Sequence, residues 1–187
     1  MNWLQMKPTP VESWQLSEAE PYYGPSIYVI TDGRFTKIGN SYDIEKRLVS
    51  LQIGSAIPLD FFVAYATLWA PKIEKLAHRI LHRYRVNGEW FDLPRCPAAC
   101  VVCELTNAFP NDLSKPIRPL RRNVVFCVEC GHAGFIAKDI SPERRFRCQR
   151  CDRRQTEIIV LNTDRARIRP NDPKPPWHGA FHEAHRQ

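Results

Sequence analysis

Two Cys-x-x-Cys pairs place the strongest constraint on how this chain can fold. Cys127 and Cys130 form the first pair, 17 residues follow, and Cys148 and Cys151 form the second pair. Each pair can make a tight knuckle that offers two sulfur atoms to one tetrahedral ion, and this spacing is typical of a four-thiolate zinc site. Two disulfides are the alternative, but they require an oxidising compartment. The spacing therefore predicts one structural Zn²⁺ held by these four cysteines.

The sequence gives no sign of export or of membrane insertion. Residues 1–25 contain three glutamates and lack the apolar core of a signal peptide. No run of 18 apolar residues, the minimum for a transmembrane helix, occurs in the chain. We therefore expect a reducing cytoplasm and no membrane partner, and a reducing compartment favours metal ligation over disulfides.

The segment around the two cysteine pairs, residues 123–162, is short and basic. Strands are predicted at 135–137 and 158–161, and together with the knuckles they resemble a zinc ribbon. A unit of about 40 residues buries little apolar surface, so bound metal would supply part of its stability. Arginines surround the second knuckle: Arg144, Arg145, Arg147, Arg150, Arg153 and Arg154. These arginines predict nucleic-acid contacts, with a purely structural or protein-binding ribbon as the alternative.

The distribution of charge also favours a polyanionic partner. The formal net charge is +7, and residues 95–187 hold 17 basic side chains against ten acidic ones. Arginine outnumbers lysine by 19 to eight, and the planar guanidinium matches phosphate geometry. The simplest partner is nucleic acid, and DNA in particular is expected; a solvated basic surface is the ordinary alternative.

The first half of the chain alternates strand and helix signals. Asp32-Gly33 is a strong two-residue hairpin signal, and Ser41 or Asp43 is a good helix N-cap. Pro71 suits the first turn of a second helix. Strands are predicted at 26–31, 34–39 and 59–66. Helices are predicted to begin near 43 and near 71, and a third helix is predicted at 97–109. The fold class is therefore α+β, with three strands flanked by helices.

Four polar residues of this half are candidates for chemistry, although each also has an ordinary explanation. Tyr28 fits a strand, Lys37 fits the solvent side of a strand, and Arg47 fits a helix surface. Glu74 lies in the first turn of a helix, where the helix dipole favours a carboxylate. His78 lies one turn after Glu74 and can either assist it or be a partly buried histidine.

Taken together, these positions resemble the GIY-YIG nuclease superfamily. Ile27-Tyr28-Val29 and Lys37-Ile38-Gly39 are similar to its paired motifs, Arg47 stands at the place of its helical arginine and Glu74 at the place of its metal-binding glutamate. Gly88-Glu89-Trp90-Phe91 is typical of its phage and bacterial branch. The resemblance implies a three-stranded antiparallel sheet flanked by helices and hydrolysis of DNA phosphodiester bonds at one Mg²⁺ or Mn²⁺.

The resemblance also implies roles for individual residues. Tyr28 would activate or orient water, Arg47 would grip the scissile phosphate, and Glu74 would hold the divalent cation. Lys37 replaces a second tyrosine and would either lower the pKa of Tyr28 or contact phosphate. Glu89 replaces an asparagine, and Leu51 stands where many members have tyrosine or histidine.

Two functional classes follow from these patterns. The first is a metal-dependent endonuclease whose basic zinc ribbon assists DNA binding, and the second is a non-catalytic zinc-ribbon DNA-binding or regulatory protein with a decayed nuclease fold. The expected segments are an N-terminal extension (1–25), a nuclease domain (26–109), a linker (110–122), the zinc ribbon (123–162) and a basic tail (163–187).

Overall fold

Two antiparallel sheets and three helices make up the part of the chain that the structure, a computed structural model, describes: residues 24–141, 146–154 and 156–161. The larger sheet has the order β3-β1-β2-β5-β4, with strands Ser26–Thr31, Thr36–Ser41, Asp60–Ala66, Arg85–Asn87 and Trp90–Phe91 for β1 to β5. The smaller sheet has the order β7-β6-β8, with strands Arg122–Cys127, Ala133–Ala137 and Thr156–Ile159 for β6 to β8. The predicted α+β class is confirmed, and two short strands extend the three predicted ones.

The turn between β1 and β2 is longer than its Asp-Gly signal predicts. The carboxylate of Asp32 accepts hydrogen bonds from the backbone N–H groups of Arg34 (2.9 Å) and Phe35 (2.6 Å), so four residues form the loop. Gly33 has a φ of +95°, which glycine adopts without steric cost. β2 consequently begins at Thr36, two residues later than predicted, and this register places Tyr28 opposite Gly39.

The three helices begin close to their predicted starts. They are α1 (Ile44–Ile53), α2 (Ala70–Ile80) and α3 (Arg95–Ala108). Asp43 is the N-cap of α1 and accepts a hydrogen bond from the N–H of Lys46 at 2.9 Å. The apolar positions Ile44, Leu48 and Leu51 of α1 are half-buried, and none of its residues is fully buried. α1 therefore covers the sheet only partly, whereas α2 and α3 supply core residues.

One continuous hydrophobic core joins the larger sheet to the ribbon. Ile27 and Val29 of β1 belong to the same buried cluster as Val124 and Phe126 of β6, with α3 contributing several members. The residue between those two ribbon positions, Val125, belongs to a separate small cluster on the far side of β6. Strand alternation thus turns one face of the ribbon towards α3.

Some predicted segments fall outside the described residues. They include residues 1–23 and 162–187, which cover nearly all of the expected N-terminal extension and basic tail, and also Arg144 and Arg145. Within the described ranges, no helix is long and apolar enough to cross a membrane.

Candidate active site and metal centre

Tyr28 lies in the middle of β1 with its ring directly over Gly39 of β2. Its exposed fraction is only 1%. A Cβ atom added to Gly39 would lie 2.6 Å from Cζ of Tyr28, far inside an ordinary contact. The glycine of the Lys-Ile-Gly run is therefore required here because the tyrosine ring occupies the space that any side chain would fill.

The hydroxyl of Tyr28 receives a hydrogen bond from α1. Nε of Arg47 donates to Oη of Tyr28 over 3.3 Å. Burial raises the pKa of Tyr28 above its ordinary 10.0, and the hydrogen bond and charge of Arg47 only partly oppose this shift. The hydrogen bond to Tyr28 also raises the pKa of Arg47. The pair therefore consists of a neutral phenol and a guanidinium cation, and the phenol proton can be donated to a third group.

Glu74 projects from the second turn of α2, one turn later than predicted, because the helix begins at Ala70. It is held by an amide of β2. Nδ2 of Asn40 donates a hydrogen bond to Oε2 of Glu74, which is half-buried. Burial raises the pKa of Glu74, the Asn40 hydrogen bond lowers it, and the charge of Glu89 raises it further. A carboxylate oxygen is a ligand that Mg²⁺ and Mn²⁺ prefer, and Glu74 offers one beside the Asn40 amide nitrogen.

Lys37 and Glu89 form an ion pair at the edge of the same region. The amine of Lys37 contacts Oε2 of Glu89, and Lys37 is only 5% exposed. Burial raises the pKa of Glu89, but the hydrogen bond and charge of Lys37 outweigh this effect and lower it overall. Glu89 therefore remains a carboxylate. The cation hydrogen-bonded to Tyr28 is Arg47, and Lys37 is engaged by Glu89 instead.

His78 is anchored to the backbone of the sheet. Its Nε2 lies 2.9 Å from the carbonyl oxygen of Ile38, and because a carbonyl only accepts hydrogen bonds, this nitrogen carries the proton. The ring also packs against Phe91, with centroids 5.2 Å apart. These contacts favour the reading of His78 as a partly buried histidine that positions α2, although its charge lowers the pKa of Glu74.

The candidate residues therefore converge on one region from five elements. Tyr28 comes from β1, Arg47 from α1 and Glu74 from α2, while Lys37 of β2 pairs with Glu89 in the turn before β5. Sequence reasoning missed Asn40, the partner of Glu74. Asn40 directly follows the Lys-Ile-Gly run on the same strand. Because β2 passes beside α2, this position was the sequence feature that could have indicated a contact with Glu74.

The four cysteines of the two Cys-x-x-Cys pairs come together as predicted. Their sulfur atoms all lie within 4.8 Å of one another. The Cys127–Cys151 and Cys130–Cys148 sulfurs are each 3.6 Å apart, far beyond a disulfide bond. A tetrahedral Zn²⁺ with bonds of about 2.3 Å requires sulfur–sulfur edges of about 3.8 Å. The four cysteines are thus positioned to hold a metal ion.

The two knuckles are built alike. The N–H of Gly131 donates to the carbonyl of Cys127 at 2.9 Å, and the N–H of Asp152 donates to the carbonyl of Cys148 at 2.8 Å. Both residues after the pairs have positive φ, +68° for Gly131 and +58° for Asp152. Equal geometry on both sides suits a symmetric tetrahedral site.

The ribbon arginines that the structure describes are exposed. Arg147 pairs with Asp152, whereas Arg150, Arg153 and Arg154 lie on the surface around the second knuckle. Exposed guanidinium groups suit phosphate, and contact of these arginines with nucleic acid stays a prediction.

The first half of the chain has a recognisable relative. Residues 26–108 match the T5orf172 domain. This domain is phage-associated and nuclease-related, so the match indicates a nuclease or DNA-binding role for the half that contains Tyr28, Arg47 and Glu74. No curated protein and no solved structure matches the chain.

Proposed function

We propose that this protein is a metal-dependent endonuclease of the GIY-YIG type that hydrolyses DNA phosphodiester bonds. The observation that carries the proposal is the convergence of a phenol, a guanidinium and a half-buried carboxylate from three separate elements. The T5orf172 match over the same residues supports it. A cytoplasmic location belongs to the same proposal.

Each residue of this group has a role that its surroundings favour. Tyr28 accepts from Arg47 and keeps its own proton, so it orients the attacking water by donating a hydrogen bond. Arg47 stays cationic and neutralises the charge that develops on the phosphate. Glu74, with Asn40 beside it, is the residue that would hold Mg²⁺ or Mn²⁺, which when bound supplies Lewis-acid stabilisation of the leaving oxygen.

Lys37 and Glu89 have a supporting role in this proposal. Because Lys37 is buried and paired, it keeps Glu89 ionised beside Glu74. The second carboxylate increases the negative potential at the cation site. Lys37 thus acts through Glu89, in place of contacting phosphate or lowering the pKa of Tyr28.

The ribbon completes the proposal as a DNA-binding accessory. Its four cysteines would hold one structural Zn²⁺, and its exposed arginines would contact phosphate without reading sequence. The set comprises the described Arg147, Arg150, Arg153 and Arg154 together with Arg144 and Arg145.

A second function, the non-catalytic DNA-binding protein, is favoured by the surroundings of Tyr28 and Lys37. Tyr28 is almost completely buried and its pKa is raised, and the position of the second family tyrosine is taken by a lysine already engaged by Glu89. Residues arranged in this way can stabilise the fold without catalysing a reaction.

Incubation of the zinc-loaded protein with supercoiled plasmid distinguishes the two functions. The enzyme relaxes or linearises plasmid only with Mg²⁺ or Mn²⁺, and Glu74→Gln slows cutting by about 10²-fold or more, because it removes one electrostatic stabiliser. Glu45→Gln on exposed α1 is the matched control and should cut normally. Wild-type protein that binds plasmid but cuts no single- or double-stranded substrate contradicts the enzyme and favours the second function.

A further inference from the structure

The outer face of α2 carries cations that the proposed reaction does not use. Lys75 and Arg79 are both exposed, and at 3.6 residues per turn they lie about 40° apart around the helix axis. We call these two residues the α2 cationic face. Ile73, Leu76 and Ala77 occupy the opposite, buried side of the helix, so the face points away from the core.

Lys75 and Arg79 differ from seven other described cations, which are neutralised by ion pairs. The cations that pair with a carboxylate are Lys37, Lys46, Arg83, Arg95, Lys115, Arg122 and Arg147. Among the described residues, no hydrogen bond or ion pair reaches the side chain of Lys75 or of Arg79. Like charges four residues apart destabilise a helix. The helix dipole favours Arg79 in the last turn, but it does not explain Lys75 in the middle.

The face borders the candidate catalytic region. Glu74 directly precedes Lys75, which places Glu74 about 100° away around α2, between the cationic face and the buried side. A chain of phosphates lying along Lys75 and Arg79 would therefore pass beside Glu74. The short 3-10 helix that follows α2, His82–Tyr84, is fixed to the ribbon. Oη of Tyr84 donates to Glu157 of β8 at 2.9 Å, and Arg83 contacts the same carboxylate at 3.2 Å.

We propose that the α2 cationic face binds the phosphate backbone of the DNA substrate and delivers it to Glu74. The inference rests on the proposed function for the identity of the polyanion. It assigns a backbone-binding surface within the first half of the chain, separate from the ribbon arginines. Two side chains on one rigid helix can contact neighbouring phosphates without ordering a loop, which limits the entropic cost of binding.

The salt dependence of binding tests this surface directly. Binding of the full-length, zinc-loaded protein to a labelled DNA duplex is measured across a range of NaCl concentrations without added Mg²⁺ or Mn²⁺. Each phosphate contact adds about 0.9 to the slope of log Kobs against log salt for B-DNA. Lys75→Ala combined with Arg79→Ala should therefore flatten the slope by about 1.8 and weaken binding to all duplex sequences alike.

A matched double variant controls for the loss of two charges. Arg34→Ala with Lys115→Ala removes two exposed cations outside α2 and should leave the slope close to the wild-type value. Circular dichroism and zinc content should be unchanged in both double variants, because all four side chains lie outside the core.

The outcomes separate this inference from the proposed function. An α2 variant with the wild-type slope overturns the inference even if the protein cuts DNA. A flattened slope in a protein that never cuts supports the surface and contradicts the nuclease. Competition by polyglutamate as effective as that by DNA, at equal charge concentration, indicates a general acidic partner and overturns the assignment to nucleic acid.

Discussion

Replacing Gly39 with alanine would place a methyl group where the ring of Tyr28 now lies. The new Cβ would come closest to the hydroxyl oxygen of Tyr28 and would lie 2.6 Å from Cζ, against at least 3.4 Å in an ordinary contact. Cζ must therefore retreat by about 0.8 Å and the hydroxyl oxygen by more, or β2 must move away from β1. Tyr28 is 1% exposed, so its surroundings leave little room for either movement.

Both stability and activity should respond to this change. Overpacking of a core typically costs about 1–3 kcal/mol, which corresponds to a fall in Tm of about 2–4 °C per kcal/mol for a chain of this size. Retreat of the ring also lengthens the 3.3 Å bond from Arg47. A misplacement of about 1 Å in a reacting group costs on the order of 10²-fold in rate, so we expect Gly39→Ala to cut DNA about a hundredfold more slowly.

The assay combines urea unfolding with plasmid cleavage, and Gly54 offers the matched control. Gly54 has a φ of −87°, and the nearest atom to an added Cβ is 3.7 Å away. Gly54→Ala should therefore be neutral or stabilising by about 0.4–1 kcal/mol. Tyr28→Phe in the Gly39→Ala background removes the hydroxyl but leaves Cζ, so it should recover part of the lost stability and none of the lost activity.

Gly39→Ala protein that unfolds at the wild-type urea concentration and cuts at the wild-type rate would refute this reasoning. A loss of stability of the same size in the Tyr28→Phe background would also do so, because the penalty would then not come from the hydroxyl end of the ring.

Two further predictions concern the carboxylate and the metal centre. Asn40→Ala removes the hydrogen bond that lowers the pKa of Glu74. This pKa, which burial already raises above the ordinary 4.5, should rise further, so the acid limb of the pH–rate profile should lie at higher pH than in the wild type. An acid limb at the wild-type pH would contradict a role for Glu74 in binding the cation. Cys148→Ser removes one of four thiolates, so metal content measured by elemental analysis should fall well below one ion per chain. Calorimetry should then show a lower Tm for the whole described core, since β6 shares that core with β1; an unshifted transition for the first half would contradict this coupling.

Local signals in the sequence predicted most of the regular elements. The strand of β-branched and aromatic residues at Ser26–Thr31 and the N-cap at Asp43 are found as predicted, because both depend on interactions between near neighbours. The sequence favours an extended conformation at 89–93, where β5 lies, but β4 and β5 were not predicted as strands, because two or three residues carry no periodic signal. They form because Trp90 pairs with Lys37 of β2, a contact that depends on the tertiary fold.

The candidate site likewise combines features that the sequence predicts with contacts that depend on the tertiary fold. Resemblance to family motifs singled out Tyr28, Arg47 and Glu74 as candidates. The motifs did not reveal which partner each cation contacts. Arg47 reaches Tyr28 and Lys37 reaches Glu89 only because the four-residue turn sets the register of β1 and β2 and the β4–β5 hairpin adds to the same sheet.

The close contact between the first knuckle and α3 restricts how this architecture can be recombined. A Cβ on Gly131 would lie 2.8 Å from Cβ of Pro94, just before α3 begins. The first knuckle therefore fits the surface around Pro94 and would lose this contact if the ribbon were transferred to another protein. A chimera that joins residues 26–108 to an unrelated ribbon would leave the apolar face of α3 uncovered, and a ribbon expressed alone would expose Val124 and Phe126 to solvent. Productive exchange of parts between such proteins would have to transfer α3 and the ribbon as a unit.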